Sequence, residues 1–365
     1  MKKVITWLLA GTMLLSSVPL RVSADAAQDI NFLTRNYESE CAVMIFSEDN
    51  GVLYSYRSSQ LMAGAGLIRL PYAYYLCTKM ESGEYSLNDT ITYTEDWLRG
   101  KPAEQTGAGV IKNSEFGTEY TFAELLDYFL RYSDNIAFDM LISTFGIDEF
   151  NAMMREWGSD VTISMANLFP SVTADFLQMC IQKLHENRGT GESWDIVWKA
   201  LLESKQSYVK EVIGGNIAVK YGYITTEVFQ TYNEVCYCDN LQPYILVVMA
   251  DQSGTNIDKE FIKNIALCAD NLVDEYYHLN YSIGNLNADS VSDSIDASLI
   301  LNAAASIGTT GESGLNKKQE SYADIDQNGT IDAADASYIL QYSAYVGSGG
   351  TASAEVYFKN VAQLQ

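Results

Sequence analysis

Two stretches of twelve residues, 39 positions apart, share one spacing of oxygen-bearing side chains and so constrain how the C-terminal part of the chain folds. In the first, Asn285, Asn287, Asp289, Asp293 and Asp296 fill positions 1, 3, 5, 9 and 12. In the second, the same positions hold Asp324, Asp326, Asn328, Asp332 and Asp335. A tight loop that gathers six or more oxygens suits a hard cation, and this is the spacing of an EF-hand calcium loop. Position 7, Val291 or Thr330, would add a backbone carbonyl. Each loop runs into a matching helical segment, Ala297-Ser298-Leu299-Ile300-Leu301 and Ala336-Ser337-Tyr338-Ile339-Leu340. An acidic, turn-rich surface would not explain that common register. The reading is an internal repeat with two Ca2+ sites. Position 12 is Asp rather than Glu, and Asn285 gives the first loop fewer carboxylates, which weakens that site.

Charge agrees with this. The 365 residues carry 23 basic and 47 acidic side chains, a formal charge of −24. Such a surface argues against nucleic acid, whose phosphates need a basic face, and against anionic membranes. The two histidines, His185 and His278, rule out a His-rich zinc or haem site. At the N-terminus, Lys2 and Lys3 precede an apolar run from Val4 to Leu20, then Val22-Ser23-Ala24. This reads as a signal peptide over residues 1–24, cut after Ala24, rather than a membrane anchor, because Gly11 and Ser16-Ser17 interrupt the run. No later segment approaches the ~20 unbroken apolar residues of a spanning helix. The mature chain is expected to be secreted, extracellular and free of the membrane. Six cysteines are scattered through the chain, four within apolar runs, and read as buried thiols rather than staples. Cys236 and Cys238 share one face of a strand, without the partners a metal site needs.

Composition shifts near residue 283, where small residues, Asp and Asn take over. The connection Leu279-Asn280-Tyr281-Ser282 is short, which places the two parts close together. Before it, Cys41–Phe46 and Val52–Tyr56 alternate like strands around Asn50-Gly51, a hairpin signal. Helical periodicity follows at 66–80, 121–130, 134–144, 173–186 and 193–204, then strands near 217–222, 231–238 and 244–250, and a helix at 258–277. The order predicts an α/β (α+β) layer with an antiparallel sheet, and helices from both chain ends on one face. Beyond Gly347-Ser348-Gly349-Gly350, residues 347–365 form a tail with a strand expected around Val356-Tyr357-Phe358.

The duplicated loop-helix unit at 284–346 resembles the dockerin module of cellulosome-forming bacteria. That resemblance implies a small all-α module that binds a cohesin module of a scaffoldin through calcium, and a cellulosome-attached protein. It assigns the cohesin contact to loop positions 10 and 11, Ser294-Ile295 and Ala333-Ala334. One departure is Ser290, where a Gly usually makes the sharp turn.

The larger part, 25–280, contains Ser133-Asp134-Asn135 at a helix start and Lys220-Tyr221-Gly222 at the end of an apolar strand. In this order they resemble the S-D-N and K-T-G motifs of class A β-lactamases and penicillin-binding proteins. Gly83–Tyr93, Gly109-Val110-Ile111 and Phe116-Gly117-Thr118 resemble the segments between that family's first two motifs. The resemblance implies a serine hydrolase with no cofactor in this domain. Its first motif, S-x-x-K, should precede Pro71, yet Gly66 and Arg69 stand at the nucleophile and base positions. Glycine supplies no oxygen, and arginine, with a pKa above about 12, is no base at neutral pH. The one Ser-x-x-Lys of the mature chain, Ser207–Lys210, falls in the wrong place for this fold, and the deacylating Glu-x-x-x-Asn has no clear counterpart. The family's oxyanion hole would use the N–H groups of Gly66 and Tyr223. With Arg69 and Lys220 they would form a compact anion-attracting pocket.

Three readings stay open. The domain is a relic or interaction body, a pseudoenzyme that holds a carboxylate such as a peptidoglycan stem peptide, or an active β-lactamase, DD-peptidase or esterase with a non-standard nucleophile. For the last, Ser133 beside Lys220 is the candidate.

Overall fold

The computed structural model describes residues 26–37, 40–227, 229–252 and 259–361. The expected export signal lies outside the described residues, as does the end of the tail. Strand β1 (Cys41–Ser47) turns through Asn50-Gly51 into β2 (Gly51–Tyr56), and Gly51 takes the φ of +74° that the turn demands. Two short ladders follow, β3 (Met62–Ala63) with β6 (Ser171–Val172) and β4 (Thr90–Thr92) with β5 (Glu119–Thr121). Strands β7 (Ile217–Thr225), β8 (Gln230–Cys238) and β9 (Tyr244–Gln252) complete an antiparallel sheet in the order β2-β1-β9-β8-β7.

Both faces of the sheet are covered, so β1 and β8 read as nearly continuous apolar or buried runs rather than clean alternation. On one face Cys41, Val43 and Ile45 meet α1 (Ala26–Asn36), α8 (Tyr208–Ile213) and α9 (Lys259–Tyr277). On the other, Ala42 and Met44 join the core of α2 (Arg69–Glu81), α3 (Phe122–Arg131), α4 (Asn135–Phe145), α5 (Asp148–Glu156), α6 (Ala174–Asn187) and α7 (Glu192–Leu202). Helices from both chain ends do share a face, as the sequence predicts. The bounds of α1, and helices α5 and α8, fall outside the ranges that periodicity marks in the sequence. All six cysteines are buried and free, and Cys236 and Cys238 lie in the same core cluster. Among the described residues, no helix is long and apolar enough to cross a membrane.

Two buried contacts set up the region around α4. Asp134 caps that helix, its Oδ1 accepting from the N–H groups of Ile136 (2.9 Å) and Ala137 (3.0 Å). Its Oδ2 accepts from Val110 (2.6 Å) and Ile111 (2.9 Å), which ties down the loop that passes over the helix start. A Cβ on Gly109 would lie 2.3 Å from that carboxyl group, so only glycine lets the loop approach.

The C-terminal module packs α10 (Ser294–Thr310) against α12 (Ala333–Gly347), with α11 (Lys317–Ala323) between the two loops. Leu286, Ala297 and Ile300 are matched 39 residues later by Ile325, Ala336 and Ile339, and all six are in the module's core. The strand expected around Val356–Phe358 is instead part of a helix, α13 (Ala354–Val361). Neighbouring strand residues point to opposite faces, whereas here Tyr357 and Phe358 both reach Tyr342, with ring centroids 5.2 and 5.4 Å away. Phe358 is fully buried beside Gly284.

Replacing Asp134 by Ala leaves four buried or half-buried N–H donors without their acceptor. It should cost roughly 2–5 kcal/mol of stability by urea denaturation. Phe358→Ala should cost about 3–5 kcal/mol, seen in the transition that reports the module and not in the one that reports the body.

Candidate functional site

The S-D-N and K-T-G segments do meet. Gly66 lies in a 3-10 turn, Ala65–Ile68, that leads into α2, and β7 presses against that turn. A Cβ on Gly222 would fall 2.7 Å from the carbonyl of Gly64 and 3.0 Å from Leu67, so glycine permits this approach. A Cβ on Gly66 would sit 3.0 Å from Arg69 Nη1, 3.5 Å from the carbonyl of Tyr221 and 3.9 Å from Lys220 Nζ. A side chain carried at residue 66 would therefore start beside Arg69 and the Nζ of Lys220. Tyr223, the other expected oxyanion donor, sits two residues from the end of β7 opposite Tyr232, with its side chain 41% exposed.

The cations do not line an open pocket. Arg69 is 2% exposed and Lys220 is fully buried. Arg69 turns inward, donates from Nη2 to Asn135 Oδ1 (2.6 Å), and lies over the rings of Phe138 (5.0 Å), Phe129 (5.7 Å) and Phe169 (5.7 Å). Its Nε is buried without a hydrogen-bond partner. Burial pushes the guanidinium down to about 10, which still leaves it charged at neutral pH. The side chain expected to line an anion-attracting pocket is thus buried among aromatic rings instead. The longer guanidinium finds aromatic faces on which to stack.

Lys220 Nζ donates to Ser133 Oγ and to the carbonyl of Tyr221 (2.9 Å). Burial, and secondarily Arg69, hold its ammonium well below the usual lysine range. Ser133 adopts φ +51° and is 4% exposed. Asn135 Nδ2 donates to the carbonyl of Thr106 (2.9 Å) and so joins the loop held by Asp134. Asp134 was read only as the middle letter of a motif. An Asp directly before an apolar helix was the available sign of its capping role. Ser207, the stray Ser-x-x-Lys serine, caps α8, its Oγ accepting from the N–H of Lys210 (3.0 Å). It also donates to buried Glu234 (2.5 Å), so that motif is structural.

The two loops are near copies. Asp293 and Asp332 cap α10 and α12 in reciprocal capping boxes with Asp296 and Asp335. Asp335 Oδ1 accepts from the N–H groups of Ile325 (2.7 Å) and Asp326 (3.4 Å), and Asp296 Oδ1 accepts from Leu286 (2.7 Å) and Asn287 (3.1 Å). Burial raises the carboxyl groups of both Asp296 and Asp335. In the second loop, ligand oxygens of Asp324, Asp326 and Asp335 lie within 4.8 Å of one another. Asn328 Oδ1 accepts from the N–H of Thr330 (2.8 Å) at the same turn. In the first loop, Asn285 is buried and its Oδ1 has no hydrogen-bond partner, while Asp289 Oδ1 accepts from Val291 (2.9 Å). Converging carboxylates in one loop and an orphaned acceptor in the other fit a hard cation. The helix starts Ser294-Ile295 and Ala333-Ala334 are exposed.

A cleft of about 930 Å³ separates the first loop from the ends of α12 and α13, and another of about 900 Å³ runs between body and module. Neither reaches Gly66.

Comparison with known proteins follows the same division. A family model of the beta-lactamase enzyme family matches residues 25–273, and one of the dockerin type I domain matches residues 283–342. The chain is 26% identical over 152 residues to beta-lactamase ROB-1 of Haemophilus influenzae and of Mannheimia haemolytica. That match takes in 40% of this chain and 47% of theirs, so the chain spans about half the length of the curated relatives it matches. Among solved structures, a beta-lactamase from Sphaerobacter thermophilus superposes with a TM-score of 0.58 at 16% identity, covering 71% of this chain and 99% of that one. PBP-A gives 0.56 at 17% identity, covering 70% and 96%. A class A beta-lactamase from Mycobacterium abscessus gives 0.56 at 18%, covering 69% and 99%. At these identities the structural likeness establishes the antiparallel sheet flanked by helices. The chain belongs to the beta-lactamase enzyme family and carries a C-terminal type I dockerin domain.

Proposed function

We propose that this is a secreted, cellulosome-attached protein that docks to a scaffoldin cohesin through its calcium-loaded dockerin, and whose beta-lactamase-like body has lost serine hydrolase chemistry. The dockerin carries the first half of the reading. Calcium would be held by Asn285, Asn287, Asp289, Asp293, Asp296 and the Val291 carbonyl in one loop. Asp324, Asp326, Asn328, Asp332, Asp335 and the Thr330 carbonyl would hold it in the other. Bound calcium supplies charge neutralisation that fixes each loop onto its helix; the chain itself supplies the caps and the core. Ser294, Ile295, Ala333 and Ala334 are the cohesin-facing positions by resemblance. Chelation should abolish binding to a purified type I cohesin, with recovery when calcium is restored. Binding that ignores the chelator would refute the calcium-dependent reading.

One observation carries the second half: Gly66 occupies the spot from which a hydroxyl would face Arg69 and Lys220. Removing a serine nucleophile costs about 10⁶ in turnover, while binding can survive. Arg69 cannot replace the missing lysine as a base, since it stays charged and donates to Asn135. A peptidoglycan-derived peptide or other carboxylate would need Arg69 to leave its aromatic cage, so the body is read first as a relic or interaction surface. The second reading, an active hydrolase, is favoured by the contact of Ser133 with a lysine whose ammonium burial holds well below the usual lysine range. The burial of both groups counts against it.

Intact mass after incubation with benzylpenicillin separates these readings. The native chain should show no adduct, and a Gly66→Ser/Arg69→Lys variant should gain one penicilloyl group. An adduct on the native chain, mapped to Ser133, would establish the second reading instead.

A further inference from the structure

We propose that α11 links calcium binding in the dockerin to docking of that module on the body, with Lys318 as the positioning residue. The proposal rests on the calcium reading of the loops. Helix α11 meets the body at its start. Lys318 Nζ lies between Asp270 Oδ2 (2.9 Å) and the carboxylate of Asp274, both on α9. The three side chains are 27%, 10% and 19% exposed, so the cluster is largely shielded from solvent. Asp270 is fixed in turn by the hydroxyl of Tyr244, which donates to its Oδ1 (3.1 Å) from the central sheet. Asn316, which caps α11 through the N–H of Gln319 (2.8 Å), forms an isolated bridge with Gly214 just before β7.

The same helix touches both loops. Asp324, the residue that ends it, is position 1 of the second loop. Gln319 Nε2 donates to the carbonyl of Leu286 (3.1 Å), position 2 of the first loop, and the carbonyl of Tyr322 accepts from the N–H of Gly284 (3.1 Å), just before that loop. No other described helix of the module carries an ion pair to the body.

The physical consequence is a linkage. Without calcium, the Asp324, Asp326 and Asp335 carboxylates repel one another at this separation, and ordering them costs conformational entropy. A helix already held by the body through Lys318 holds Asp324 in place, so less ordering remains when the ion binds. Coupling of this kind is reciprocal: calcium must then strengthen the docking of the module on the body by the same factor.

The test is a calorimetric calcium titration of the full chain beside an Asp270→Asn/Asp274→Asn variant. Both substitutions lie in the body, so every residue of the dockerin is unchanged. The tighter site should weaken about five- to tenfold, within the usual range for coupled sites. The calcium-induced rise in the melting temperature of the body should shrink in parallel. Lys318→Met, which keeps the aliphatic stem and removes the charge, should give the same loss from the other side of the contact. It also decides the matter if the double variant does not fold. Native calcium affinity in either folded variant would overturn the coupling while leaving the calcium reading intact. A wild-type chain that binds no calcium would instead remove the reading on which the proposal rests.

Discussion

Pairing between β1 and β9 closes the body, and most other features depend on it. Six residues of β1, Cys41 to Phe46, face Ala250 to Ile245 across some two hundred residues of intervening chain. That register brings the N-terminal hairpin beside the late strands and gives the sheet two apolar faces. One face takes α1, α8 and α9, and the other takes the helical middle of the chain. Once β9 is in place, β8 and β7 follow as hairpins, and the outer strand β7 meets the 3-10 turn that carries Gly66. A long-range β contact of this type repays its loop-closure entropy only when both faces are buried. The nearly unbroken burial of β8 meets that requirement.

Around Gly66 the family's sheet-and-helix fold persists, with Gly66 in the turn before α2 and Arg69 as the first residue of that helix. Asp134 and Asn135 still hold the loop over α4, and Lys220 still reaches Ser133. Gly66 and Arg69 are neighbours in space as well as in sequence. Glycine at 66 leaves room beside Arg69, and the guanidinium uses neighbouring aromatic rings and Asn135 in place of a counter-ion. A buried cation without a carboxylate partner is costly, and stacking on three rings offsets part of that cost.

The dockerin uses its acidic residues twice. Asp296 and Asp335 are positions 12 of their loops and also members of the capping boxes that start α10 and α12. Each therefore joins its acidic loop to the helix that follows it, and the helices meet in a core repeated 39 residues apart. Phe358 adds a contribution from beyond the repeat by packing beside Gly284, just before the first loop.

Local chemistry written in the sequence determined a great deal: the repeated spacing of the acidic loops, the hairpin at Asn50-Gly51, the late strands, and the presence of Gly66 and Arg69 ahead of Pro71. These are legible because each depends on residues a few positions apart. The tertiary structure decided what depends on distant partners. Arg69 was expected to line an anion-attracting pocket, but its direction is set by Phe129, Phe138, Phe169 and Asn135, which converge from elsewhere in the chain. Val356-Tyr357-Phe358 is too short an apolar run to distinguish strand from helix, and its place in α13 goes with the contact of both rings to Tyr342. The hold of Asp270 and Asp274 on Lys318 was equally invisible, since isolated charges in a sequence do not reveal which of them folding will bring together and shield from water.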